Sequence, residues 1–317
     1  MKYYLILLHF VFLSVGCSSQ PTPSIIASQQ IIDMKQWPIY HDLKAADSQN
    51  DYLDSLEIIE LTYLSDGLKV NAFVIQPKAI GAYPCIIFNR GGNREFGAWN
   101  VSGVLRVLSK IAKEGYVVIA SQYRGNGGGE GMEEFGGLDV NDVVILPKVL
   151  AELKKADTSR LGMYGWSRGG MMTYMAITKM INIKAIVVGG GVTDHIELLK
   201  DRPKMESVYA ELVPDYETRK IEELTKRSAV NWADQLPKET PILLMHGGSD
   251  WRVKPSQSLR LALKLEEFQV PYRLIIYEGE DHGISNHQME VNHEAMSWFE
   301  RFVKNREALP NTDSQGR

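Results

Sequence analysis

Ser167 stands in the run Tyr164-Gly165-Trp166-Ser167-Arg168-Gly169-Gly170, a Gly-x-Ser-x-Gly spacing where an apolar strand pattern gives way to a helical one. A turn that tight leaves no room for side chains two residues either side of the serine, so Gly165 and Gly169 are required and the Ser167 hydroxyl is held exposed. A serine hydroxyl is a weak nucleophile at neutral pH; it needs a base, and the base needs a group to orient it. Downstream, His246-Gly247-Gly248-Ser249-Asp250-Trp251-Arg252-Val253 puts Asp250 on a glycine loop after an apolar strand pattern. Tyr277-Glu278-Gly279-Glu280-Asp281-His282-Gly283 puts His282 on another. The expected roles are Ser167 as nucleophile, His282 as general base and then acid, and Asp250 as the carboxylate that fixes the imidazole and stabilises its charged form. That chemistry is hydrolysis of an ester or amide through an acyl-enzyme.

Acyl transfer also needs donors for the oxyanion. One is expected from the backbone amide of Arg168, at the start of the helix whose amide end faces the site. The second is expected near Gly91, in Asn89-Arg90-Gly91-Gly92-Asn93-Arg94, where two glycines let backbone approach a substrate; the plain alternative is a tight turn. Rival assignments are weaker. His246 ends a strand just before the acid loop and is expected to tether it. Glu278, Glu280 and Asp281 lie too close in sequence to His282 to turn back onto its ring. His41, His195, His287 and His293 read as surface or helix residues, and the spacing of His282, His287 and His293 matches no zinc motif, so no metal is expected. Gly125-Asn126-Gly127-Gly128-Gly129-Glu130-Gly131 lacks the Gly-Lys-Ser/Thr of a phosphate loop, so no nucleotide cofactor is expected either.

The elements that must position these residues alternate β-branched apolar runs with longer helical patterns, which means α/β. Strands are predicted over 57–65, 68–76, 82–89, 116–121, 160–164, 184–188, 242–246 and 272–277. Helices are predicted near 101–114, 140–156, 170–180, 256–268 and 287–305. Asp66-Gly67 signals a tight hairpin between the first two strands. The later strands are short and almost wholly apolar, as in a parallel sheet covered on both faces. The order serine, acid, histidine, each on a loop at one edge of such a sheet, fits an α/β-hydrolase fold with a mostly parallel eight-stranded sheet. Residues 193–241 are too long and charged for a simple connection and are expected to form a helical excursion that, with Trp166 and Trp251, lines or covers the pocket. The tail after Arg306 is expected to fray.

Composition narrows the function classes. With 44% hydrophobic and 23% charged residues in 317, the chain is an ordinary globular protein. Lys+Arg 35 against Asp+Glu 39 gives a net charge of −4 with no basic block, which argues against a nucleic-acid partner. Two cysteines, Cys17 and Cys85, are too few for a disulfide framework. Lys2 followed by the apolar stretch from Leu5 to Leu13 reads as a cleaved export signal, too short to span a bilayer as a mature helix. Leu13-Ser14-Val15-Gly16-Cys17 is similar to a bacterial lipobox, with Ser14 where leucine is usual; it implies a lipid anchor on Cys17 and a membrane-tethered lipoprotein of the cell envelope. The expected organisation is therefore a signal peptide over 1–16, a tether and extension over 17–55, a catalytic domain over 56–305 and a flexible tail over 306–317. Cys85, in the run Pro84-Cys85-Ile86-Ile87-Phe88, is expected to be a buried, inert thiol.

With these residues in hand, the chain resembles the catalytic domain of the prolyl oligopeptidase family. The resemblance rests on Arg90-Gly91-Gly92, on Gln122-Tyr123-Arg124-Gly125-Asn126-Gly127-Gly128, and on Asp139-Val140-Asn141-Asp142 leading through Asp157-Thr158-Ser159-Arg160 to the Ser167 turn. The Asp250 and His282 loops complete it. It implies a serine peptidase with the triad carried onto Ser167, Asp250 and His282, acting on a peptide or acyl-ester substrate without a cofactor. Two departures stand beside it. Larger peptidases of the family carry a β-propeller, which the residues between Cys17 and Leu56 are too few to form. Some members use a tyrosine side chain in the oxyanion loop where this chain has Arg90, so that contact is not carried over. A carboxylesterase, for example one that deacetylates a polysaccharide, is the alternative. A non-catalytic binding protein on the same fold is a second, against which the intact triad argues.

Overall fold

The computed structural model describes residues 24–312. Asp66 and Gly67 turn the chain with φ of 50° and 81°, the left-handed pair that a two-residue hairpin needs. The turn joins β2 (Leu56–Ser65) to β3 (Leu68–Pro77), antiparallel from Ser65↔Leu68 to Leu56↔Pro77. The remaining strands are β1 (Ile26–Ile32), β4 (Tyr83–Asn89), β5 (Val117–Ser121), β6 (Ala156–Trp166), β7 (Ile183–Gly189), β8 (Ile242–Gly247) and β9 (Tyr272–Tyr277). They form one nine-stranded sheet in the order β1-β2-β3-β5-β4-β6-β7-β8-β9. Strands from β5 onward across the sheet pair in parallel, and β1, β2 and β3 add an antiparallel flank.

The sheet is buried on both faces because alternate residues of its central strands are apolar on both sides. Cys85, Ile87, Val117 and Ile119 pack on one face with Val143, Leu146, Met172 and Leu261 from the covering helices. Their neighbours Ile86, Phe88, Val118 and Ala120 pack on the other with Leu105, Leu108, Val291 and Phe299. Burial pushes the Cys85 thiol up to about 12, so it stays protonated and unreactive as expected. The chain from Val101 to Ala112 is one continuous helical run with a π-turn over Val104–Leu108. The helix expected near 140–156 stops at Ala151, because Ala156 and Asp157 already pair with Tyr83 and Pro84 in the sheet.

The sheet has a ninth strand that the sequence reading placed in the tether. β1 lies on the outer edge with its central residues exposed, so its sequence, Ile26-Ala27-Ser28-Gln29-Gln30-Ile31-Ile32, carries little apolar alternation to announce it. Met34, Ile39, Tyr40 and Leu53 of the same segment pack into the core. Glu152 fixes its start, accepting the Ser24 hydroxyl at 2.5 Å and the Ile25 amide at 2.7 Å. The expected signal peptide, lipobox and Cys17 lie outside the described residues.

Candidate active site

The nucleophile turn is built by collision. Between β6 and the helix Arg168–Ile177, Ser167 takes φ 58° and ψ −122°, a strained conformation for a residue with a side chain. A Cβ on Gly169 would stand 1.9 Å from the Asn89 carbonyl oxygen, and one on Gly165 would stand 2.3 Å from that of Gly169. Both glycines are thus obligatory. The Ser167 amide donates to Gly189 O on β7 at 2.9 Å, which pins the strained residue to the sheet.

The carboxyl end of β8 carries Asp250, 3% exposed, with both oxygens engaged. Oδ1 accepts the amides of Arg252 at 2.8 Å and Val253 at 3.0 Å. Oδ2 lies 2.6 Å from His282 Nδ1 and 3.3 Å from His246 Nε2. Burial alone would raise this carboxyl's pKa, but hydrogen bonds from His246 and His282 overcome it and hold Asp250 well below the usual carboxylate range. An ionised carboxylate only accepts, so the His282 proton sits on Nδ1 and Nε2 is left as the acceptor. His246 tethers the acid loop as expected: Nε2 donates to Val253 O at 2.8 Å and Nδ1 accepts from the Ser258 hydroxyl at 2.7 Å. The neighbouring acids turn away from the imidazole. Glu280 accepts the Asn286 amide and pairs with His287, and Asp281 accepts the Gly283 amide and the Ser285 hydroxyl.

The loop after β4 supplies the third part. A Cβ on Gly91 would lie 3.1 Å from Trp166 O and 3.2 Å from Ser167 Cβ, so this backbone passes directly beside the nucleophile. Arg168 begins its helix, and its amide has no acceptor within that helix. Arg90 is 2% exposed and donates to the carbonyls of Gln122, Arg94, Gly91 and Phe96, so its guanidinium scaffolds the loop. Ser167, Gly91 and His282 share one cavity of about 370 Å³. Among the described residues, no group of three or more His, Cys, Asp or Glu is placed to hold a metal ion.

This constellation is that of a serine hydrolase. The model of the prolyl oligopeptidase family matches residues 99–306, most of the chain. The chain belongs to the prolyl oligopeptidase family. It is 28% identical to YtmA of Bacillus subtilis, named an uncharacterized peptidase, over 72% of this chain and 86% of that one. It is 26% identical to the acylamino-acid-releasing enzyme of Mus musculus, over 70% of this chain and 32% of that one. Among solved structures, Pyrococcus horikoshii acylaminoacyl peptidase superposes with a TM-score of 0.68 at 24% identity, over 80% of this chain and 43% of that one. The chain therefore spans less than half the length of the larger peptidases it matches.

Two expectations about the pocket of this family member need correction. Of the residues expected to line it, Trp166 does, whereas Trp251 and the excursion do not. The excursion helices His195–Asp201, Met205–Leu212 and Tyr216–Lys226 pack beside the site, where Glu211 pairs with Arg94 and Asp201 with Lys254. The cavity is walled instead by Phe88, Phe96, Trp99, Tyr164 and Trp166, with Val291 from the helix Gln288–Phe299. These aromatics belong to strand ends and loops distant in sequence, so no local spacing marks them. His195 is a helix residue but fully buried, and burial pushes its pKa down to about 3, leaving it neutral beside the Tyr209 hydroxyl. Sequence reasoning also missed Arg252 at the cavity, and Glu133 and Asp139, which hold Arg168.

Proposed function

We propose that the protein is an exported serine peptidase that cleaves amide bonds through an acyl-enzyme on Ser167. The observation that carries this reading is the 2.6 Å bond to a buried, ionised Asp250 from His282, which lines the same cavity as the strained Ser167. His282 Nε2 takes the Ser167 proton as Oγ attacks the scissile carbonyl, and the carbonyl oxygen becomes an oxyanion held by the amides of Gly91 and Arg168. The intermediate collapses as His282 returns that proton to the leaving amine. Water, deprotonated by the same imidazole, then attacks the acyl-enzyme and releases the acid and Ser167. Asp250 orients the ring and stabilises its cation throughout.

The cavity supports a finer reading of substrate. Aromatic rings dominate its wall, and among the described residues its polar lining includes Arg90 and Arg252 but no carboxylate. Such a pocket suits a bulky apolar group and gives a free ammonium no counter-ion. N-blocked peptides with an apolar residue at the cleaved bond are therefore the expected substrates. Export and tethering through Cys17 complete the proposal and rest on residues 1–23.

Steady-state hydrolysis of matched N-acetyl, free-amine and ester substrates by the purified protein and its Ser167→Ala variant tests the reading. Amide cleavage that favours the N-acetyl series and vanishes in the variant supports it. Ester turnover without amide cleavage would make the protein a carboxylesterase on this scaffold, and turnover retained by Ser167→Ala would remove the triad. For the anchor, Cys17→Ser should shift the protein from the membrane to the soluble fraction, and unchanged fractionation would refute it.

A further inference from the structure

The two amides of the proposed oxyanion hole come from segments far apart in sequence, and one buried side chain joins them. Arg168 offers one amide from its backbone. Its guanidinium, 2% exposed, turns back beneath the loop that offers the other. Nη1 donates to Gly92 O at 3.1 Å and pairs with Glu133, while Nη2 donates to Asp139 at 2.6 Å. The second oxygen of Glu133 accepts the Arg94 amide at 2.8 Å and the Asn126 side-chain amide at 2.9 Å. Arg168 thus grips the loop directly through Gly92 and indirectly through Glu133. Arg90 holds the Gly91, Arg94 and Phe96 carbonyls, and the Tyr123 ring centroid lies 5.1 Å from each of the two guanidiniums.

We propose that Arg168 is a positioning residue for transition-state stabilisation: through Gly92 O and Glu133 its side chain sets the Gly91 amide against its own. The nucleophile motif assigns no role to this side chain, since the position after the serine is free in Gly-x-Ser-x-Gly. Its chemistry suits the task. A guanidinium is a planar fork able to serve a carbonyl and two carboxylates in fixed directions, which the single ammonium of lysine cannot do. The cluster is also balanced in charge, with the buried Arg90 and Arg168 against the buried Glu133 and Asp139, so the two amides are held without a net charge from their supports. Donors that meet the oxyanion must be fixed before charge develops, because they contribute only if they need no reorganisation at that moment.

The inference rests on Ser167 being the acylated residue, and the test separates the two. Labelling by a fluorophosphonate, with the adduct located by mass spectrometry, counts competent sites; no adduct on Ser167 would refute the underlying reading itself. Among labelled sites, Arg168→Lys keeps the charge but loses the fork. It should lower kcat about 10- to 100-fold with KM changed less than about 3-fold. The Ki of a peptidyl trifluoromethyl ketone, which forms the tetrahedral oxyanion on serine, should rise by the same factor as kcat falls. Arg227→Lys is the control. Arg227 is a comparably buried arginine, bonded to Glu223 and to the carbonyls of Glu134 and Phe135 and outside both the loop and the cavity, so its loss should reduce stability and leave kcat per site unchanged. If Arg168→Lys gives no labelled protein, Glu133→Gln carries the same expectation. Near-normal kcat and Ki per labelled site, or an equal loss in Arg227→Lys, would overturn the proposal.

Discussion

Two loops flank Ser167, and they differ in how much of their hold is local. The acid loop, residues 247–253, carries staples from its own neighbourhood, where Asp250 accepts the amides of Arg252 and Val253 and His246 reaches Val253 O, and adds two backbone bonds to the end of β9, from Gly248 to Tyr277 O and from Ser249 to Glu280 O. The oxyanion loop, residues 90–97, borrows most of its anchors from far along the chain, with Arg90 on Gln122 O, the Arg94 amide on Glu133 and Gly92 O on Arg168. A loop with staples inside itself has part of its geometry fixed by a few neighbouring residues. A loop with borrowed anchors has its geometry only when the rest of the molecule is in place, so its precision depends on packing as well as on local bonds.

The largest effect expected from breaking this contrast is on the acid loop. Asp250→Asn should lower kcat about 10⁴-fold, by removing the partner that fixes the His282 tautomer, while KM stays nearly constant. A loss of less than tenfold would mean that the loop's local staples, not its charge, set the site. The same residue sets a pH dependence. Folding holds its pKa below the unfolded value, so its contribution is fully present above about pH 4 and is lost as pH falls. Urea midpoints taken from neutral to acid pH should therefore decline less steeply in Asp250→Asn than in the parent protein.

Next comes Gly91→Ala, whose added methyl would press on Trp166 O and Ser167 Cβ. It should reduce kcat by about 10- to 100-fold at an unchanged fluorophosphonate labelling stoichiometry. Unaltered turnover would show that the donor lies elsewhere in the loop. His246→Leu leaves Val253 O and the Ser258 hydroxyl without their partner and should cost about 1–3 kcal/mol of stability by urea titration, with a smaller effect on kcat. The smallest effect belongs to an exposed anchor of the oxyanion loop. Glu211→Ala breaks a solvent-exposed pair with Arg94 and should change stability by less than about 1 kcal/mol, with kcat unaltered. A large loss there would make the excursion a working part of the site.

How far each region was legible follows from the same contrast. Asp66-Gly67 marked its hairpin, and the apolar runs marked β2 to β9, because turn chemistry and two-sided burial both leave local signals. β1 left none, since an edge strand with an exposed centre has no reason to alternate apolar residues. The helix expected to reach 156 was cut short by pairing of Ala156 with Tyr83, a partner the local pattern does not contain. Trp166 was identified at the pocket because it sits inside the nucleophile motif. Phe88, Phe96, Trp99 and Tyr164 reach it from other segments and carry no shared spacing.

The amino-acid sequence by itself determined the chemistry: a serine between obligatory glycines, an acid and a histidine on successive strand-end loops, and their order along an α/β chain. Each of these is encoded within a few residues, because tight turns and strand ends impose residue types locally. Only the tertiary structure decided what surrounds that chemistry. The aromatic wall of the cavity, the edge strand β1 and the grip of Arg168 and Glu133 on the glycine loop all join residues distant in sequence. Such contacts are selected by shape, charge and burial in the folded molecule, and no spacing along the chain records them.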